Sequence, residues 1–79
     1  MRLVEISHEP VELYKILKFE GMVATGGEAK LVISEGLVQV NGKIETRKRK
    51  KIVAGDVITF EQETIRIQLS EKLKTGSTK

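Results

Sequence analysis

Residues 36–56 read GLVQVNGKIETRKRKKIVAGD, and this stretch decides the fold: it holds, in order, a strand, a tight turn, a return strand, a run of cations and a second turn. Alternation places Val38 and Val40 on one face and Gln39 on the other, the period of a strand with one side buried. Asn41-Gly42 follows, and because both residues tolerate positive φ the chain is expected to reverse there in a two-residue hairpin. Arg47, Lys48, Arg49, Lys50 and Lys51 then stand in succession before Ile52 and Val53 restore apolar character and Ala54-Gly55-Asp56 turns the chain again. Adjacent cations repel one another, so an anionic partner is expected to offset the repulsion, and phosphate is the first candidate.

Upstream of this stretch the period becomes helical. Thr25 and Glu28 have the spacing of a capping box, in which the hydroxyl takes the N–H of Glu28 and the carboxylate reaches back. The helix that starts there should bury Ala29, Val32 and Ile33, with Leu31 flanking, leave Lys30 and Ser34 on its other side, and close on Gly36 in the left-handed conformation. A first helix is expected from Pro10, which suits a first turn because its missing N–H costs nothing there, with Glu9 and Glu12 at the positive end of the dipole. Leu13, Ile16 and Leu17 share its apolar face and Gly21 ends it. Residues 3–6 suit a short edge or terminal strand.

Downstream, residues 56–60 and 64–69 read as strands, the second alternating Ile65, Ile67 and Leu69 against Arg66 and Gln68, with residues 61–63 as their connection. The expected order is strand, two helices, four strands, with the last strands forming a meander. From Ser70 onward SEKLKTGSTK shows no period. This reading makes residues 1–69 one domain and residues 70–79 a tail that buries nothing.

Composition bounds the function. A chain of 79 residues with 39% hydrophobic content supports one small core, burying only about 60% of the surface its unfolded chain exposes. The net charge of +3 understates the asymmetry, because residues 43–51 hold six cations, Lys43 among them, against the single anion Glu45. With no cysteine and one histidine, neither a disulfide framework nor a metal or other cofactor is expected, and a reduced cytoplasmic setting fits. No apolar run approaches the roughly 18 residues of a membrane span, and Glu5 interrupts the stretch where an export signal needs continuous apolar character.

With these parts placed, the chain resembles the RNA-binding domain named after the small-subunit ribosomal protein S-four, the alpha-L motif. The matching residues are the apolar first helix, the capped second helix with Ala29 and Leu31, Val32 and Ile33, the run EGLVQVNG at 35–42 and GDVI at 55–58. GGEAK at 26–30 and ETRKRKKIVAGD at 45–56 are similar to the small free-standing bacterial members of that family, the YbcJ type. The resemblance implies an α+β fold, two N-terminal helices on a small antiparallel sheet of four to five strands. It also implies structured RNA, ribosomal or transfer RNA, held against the second helix, the hairpin and the loop after it. It assigns RNA contact to Lys30, Arg47, Lys48, Arg49, Lys50 and Lys51, with Lys43 in the same basic stretch and Thr25 at the helix start. Many family members carry Ser-Arg where this chain has Thr25-Gly26, so that arginine is missing; Gly26 and Gly27 can substitute in part through free N–H groups at a helix start, with Glu28 opposed to an anion there.

Other readings fall on inventory. GMVATGGE at 21–28 lacks the lysine and hydroxyl of a phosphate-binding loop. Lys74-Thr75-Gly76 has no Ser-x-x-Lys nucleophile to serve, Glu61 and Glu63 read as a solvated hairpin end, and His8 reads as a bystander. An enzyme is therefore not expected, nor a small-molecule substrate. A ubiquitin-like carrier needs a C-terminal Gly-Gly that GSTK does not supply. A non-catalytic adaptor using the basic face on an acidic protein is the remaining alternative. Of the three aromatic residues, Phe19 and Phe60 read as core, which favours shape-directed recognition of folded RNA over stacking of single-stranded bases.

Overall fold

The computed structural model describes residues 1–70 of the chain. The central hairpin joins β3 (Val38–Val40) to β4 (Lys43–Ile44). Asn41 and Gly42 take φ of 54° and 83° between them, the two positive values that a tight hairpin turn requires. Asn41 does more than turn. Its N–H donates to Val57 O at 2.7 Å, its Oδ1 accepts from Val57 N at 2.9 Å, and its Nδ2 donates to Asp56 Oδ1 at 3.0 Å. The hairpin tip is thereby tied to the turn at residues 53–56, where Val53 N donates to Asp56 Oδ2. A Cβ at Gly42 meets no atom within 4 Å, so Gly42→Val strains the backbone alone and is expected to cost about 1–2 kcal/mol. A urea denaturation midpoint equal to wild type contradicts this.

The hairpin lies at one side of a five-stranded sheet of order β1-β7-β6-β3-β4, completed by β1 (Arg2–Ile6), β6 (Val57–Phe60) and β7 (Glu63–Leu69). Val38, Val40, Ile58, Phe60, Ile65 and Ile67 point to one face and are buried, as the period of two predicts. Two expectations are corrected. The sheet is mixed, because β1 runs parallel to β7 with Arg2 beside Ile65. The last strands are not a simple meander: β6 returns to the far side of β3, and Lys51–Ile52, which the sequence leaves outside any strand, forms a strand of another sheet.

That second sheet pairs β2 (Val11–Glu12) with β5 (Lys51–Ile52), antiparallel. Its presence revises the start of the first helix. The Glu9–Pro10 peptide is cis, the chain is extended through Glu12, and α1 (Leu13–Phe19) begins three residues after Pro10. Glu9 does not face the helix dipole; its Oε2 accepts from Ala54 N at 2.6 Å. Glu12 occupies the cap position without a side-chain cap bond.

α1 buries Leu13, Ile16 and Leu17, and α2 (Gly26–Ser34) buries Ala29, Val32 and Ile33 as expected. Both helices end in a glycine at positive φ, with Met22 N donating to Leu17 O and Leu37 N to Val32 O, so the last carbonyls are satisfied by the reversing chain. One continuous core joins the helices to the sheet. Phe60 belongs to it, but Phe19 does not: the residue is 66% exposed. The expected tail from Ser70 lies outside the described residues except for Ser70 itself, whose N–H donates to Ile6 O.

Candidate nucleic-acid interface

The basic loop leaves β4 with Glu45 N still donating to Val38 O, and enters β5 at Lys51, one residue before the buried Ile52, which pairs with Val11. Between these points its backbone is held by α1. Leu13 N donates to Lys50 O at 2.9 Å and Tyr14 N to Lys48 O at 3.1 Å, while Lys50 N donates to Arg47 O within the loop. The first amides of α1, which no earlier turn can satisfy, therefore take carbonyls from the cationic stretch. Because these bonds use main-chain atoms only, Arg47, Lys48, Arg49 and Lys51 keep exposed side chains and Lys50 a half-buried one.

Arg47 differs from its neighbours. Glu45 accepts from Arg47 N at 3.0 Å, from Nε at 2.9 Å and from Nη2 at 3.3 Å. The hydrogen bonds from the Arg47 side chain hold the Glu45 carboxyl below the ordinary carboxylate range and raise the guanidinium in turn. A carboxyl whose folded value is depressed contributes stability above its unfolded value and loses it as pH falls through the folded one. The stability difference between wild type and Glu45→Gln is therefore expected to be constant near neutrality and to shrink at a pH below about 4.3, the ordinary glutamate value. A difference independent of pH down to acid unfolding argues against the pairing.

From the other side, Gly27, Lys30 and Ser34 fall at helical spacing on one face of α2. Lys30 Nζ stands 4.8 Å from the centroid of the Tyr14 ring, and Tyr14 is the residue whose N–H holds Lys48. This one residue, by its ring and its main-chain N–H, joins the second helix to the loop. Ser34 and residues 46–51 together line an open depression of about 730 Å³. Arg47, Lys48, Arg49, Lys50 and Lys51 thus lie in one region, and Lys30 is joined to it through Tyr14. Tyr14 and Ser34 lie with them; the sequence puts Ser34 on the Lys30 side of the helix but singles out neither residue for the site.

The remaining candidates stand apart. Lys43 lies on β4 beside the hairpin turn and does not line the depression. Thr25 is engaged in the predicted capping box: Glu28 N donates to its Oγ1 at 3.0 Å, and Glu28 Oε1 accepts from Ala24 N at 2.9 Å. The start of α2 near Gly26 and Gly27 already has the Glu28 carboxylate as its anion. A Cβ at Gly26 would lie 3.8 Å from Lys18 Cδ, an ordinary contact, so the stem of an α1 lysine runs beside the point where the resemblance has an arginine side chain begin. No helix among the described residues is long and apolar enough to cross a membrane.

Two helices on a five-stranded sheet, with a backbone-held cationic loop against the second helix, define a known class of domain. The family model described as the S4 domain matches residues 4–68, and the chain belongs to that family. Among its relatives is the Escherichia coli protein named “Putative RNA-binding protein YbcJ”, 47% identical over 60 residues that span 76% of this chain and 86% of that one. The solution structure of that E. coli protein, described as revealing an αL motif involved in RNA binding, superposes with a TM-score of 0.67 at 40% identity and covers 86% of this chain and 87% of its own. A Bacillus subtilis relative named “Probable ribosome maturation protein RlbA” is 34% identical over 58 residues, 73% of this chain and 82% of that one.

Proposed function

We propose that the protein is a non-catalytic RNA-binding domain of the cytoplasm that holds folded RNA, ribosomal RNA in the first place, against the loop of residues 46–51 and the Lys30 face of α2. The observation that carries this reading is the Lys30–Tyr14–Lys48 link, which makes one rigid cationic surface from two elements that are distant in sequence. Within the site, Lys48, Arg49, Lys50 and Lys51 neutralise phosphates and Lys30 extends the surface along α2. Arg47 contributes less, because Glu45 already balances it. Gly27 shares the Lys30 face of α2, while Thr25, Gly26 and Lys43 lie apart from the depression and are given at most peripheral contacts. The name of the B. subtilis relative favours ribosomal RNA over transfer RNA.

If roughly four to six phosphates are neutralised, log affinity should fall against log salt with a slope of magnitude roughly 3 to 5, and Lys48→Ala or Lys50→Ala should each lower it by about 0.9, with a smaller change for Arg47→Ala. A shaped surface also requires preference for a folded RNA over a DNA duplex or a single strand at matched ionic strength. Equal affinity for all three reduces the loop to generic electrostatics, and no saturable binding at physiological salt leaves the adaptor function in its place.

A further inference from the structure

Phe19 closes α1 and is 66% exposed, although a phenylalanine gains most by burial and the core of this domain lies one turn away. It borders a groove lined also by Pro10 and Val11 together with Lys15, Lys51 and His8. Glu12 is the one carboxylate in that groove, and Lys15 Nζ stands 3.7 Å from it. Lys51 lines both this groove and the depression formed by the basic loop, so the two open spaces adjoin through a single cation. Lys18 adds a further positive charge, its Nζ 5.6 Å from the Phe19 ring centroid. On its other side Phe19 borders a groove whose acidic members are Glu5 and Glu20, which disfavours phosphate there. An exposed aromatic ring flanked by lysines and continuous with a phosphate-binding surface has the composition of a base platform: the ring offers its face to any nucleobase and the cations track the backbone.

We propose that Phe19 is a stacking platform for one unpaired nucleobase of the RNA strand that leaves the basic face, with Lys15 and Lys51 on the flanking phosphates. The proposal rests on the RNA-binding reading above and adds to shape-directed recognition of a helix a requirement for an unpaired nucleotide beside it. Lys18 makes only a weak contact with the ring, which an incoming base displaces, and its ammonium is then free for phosphate.

The test uses three probes: a short blunt RNA hairpin, the same hairpin with a single-stranded oligo-adenosine extension, and the same with an abasic extension carrying identical phosphates. Wild-type protein is expected to bind the adenosine form about fivefold or more tighter than the abasic form, the lower range of one stacked base. Phe19→Ala should erase that difference and leave blunt-hairpin affinity and melting temperature unchanged, while Phe19→Tyr retains it. Phe19→Trp should show fluorescence quenching with the adenosine form and none with the abasic form. Equal binding of the two extended forms by wild type, or a difference that survives in Phe19→Ala, overturns the platform while the RNA-binding reading stands. If no hairpin binds at all, the RNA-binding reading fails and takes the platform with it.

Discussion

Replacing both Arg49 and Lys50 by glutamate is expected to abolish RNA binding and leave the domain folded. Each substitution turns an attraction to phosphate into a repulsion, so the loss exceeds the removal of two contacts and should reach roughly a hundredfold or more at low salt. The fold should survive because the loop is shaped by main-chain bonds: Lys50 N to Arg47 O, Leu13 N to Lys50 O and Tyr14 N to Lys48 O all persist whatever side chains stand at 49 and 50. Self-repulsion among adjacent cations also falls, so thermal stability should hold or rise slightly. Filter binding beside a melting curve reads both effects. Wild-type affinity in the double variant removes the loop from the interface, and a collapsed melting temperature means that the side chains, not the backbone, hold the loop.

The largest effect on stability is expected from Ile52→Ala. Ile52 is fully buried in a strand of two residues, and its side chain joins the small β2–β5 sheet to the main core. Deleting a buried isoleucine side chain costs about 2–5 kcal/mol, a large share of the roughly 5–15 kcal/mol that a domain possesses. In a domain of this size each kcal/mol lowers the melting temperature by about 4–8 °C. Ile44→Ala is the control. Ile44 enters the basic stretch as Ile52 leaves it, but it is 64% exposed, and surface substitutions stay within about 0.5 kcal/mol. Similar losses in the two variants contradict the role given to Ile52.

That pair of isoleucines shows where the sequence was legible. The hairpin, the capping box of α2 and the alternation in β7 were readable because each is set by residues a few positions apart: positive φ at Asn41-Gly42, Thr25 with Glu28, Ile65 with Ile67. The β2–β5 sheet was not, since two residues on each side carry no period and Pro10 suits a helix start as well as the extended chain that leads into Val11. The parallel pairing of β1 was hidden for a related reason: Val4 and Ile6 fit either direction equally well. Within the site, the cations were evident as a run, but their mounting on α1 uses backbone amides and carbonyls that every residue possesses. Phe19 was misread as core because composition makes a phenylalanine apolar without saying which way the last turn of a helix faces.

The parallel pairing of β1 with β7 also bears on timing during synthesis. The β3–β4 and β6–β7 hairpins close over a few residues, which takes about 1–10 μs. Setting Arg2 beside Ile65, or Val11 beside Ile52, requires most of the chain to exist and its ends to meet, and such distant closure is what slows a fold. Until Ile52 is made, Val11 has no partner strand, and the loop is anchored on that side by the α1 amides that bond Lys48 and Lys50. The basic loop therefore reaches its final mounting only after the strands on both sides of it have been made, late in synthesis.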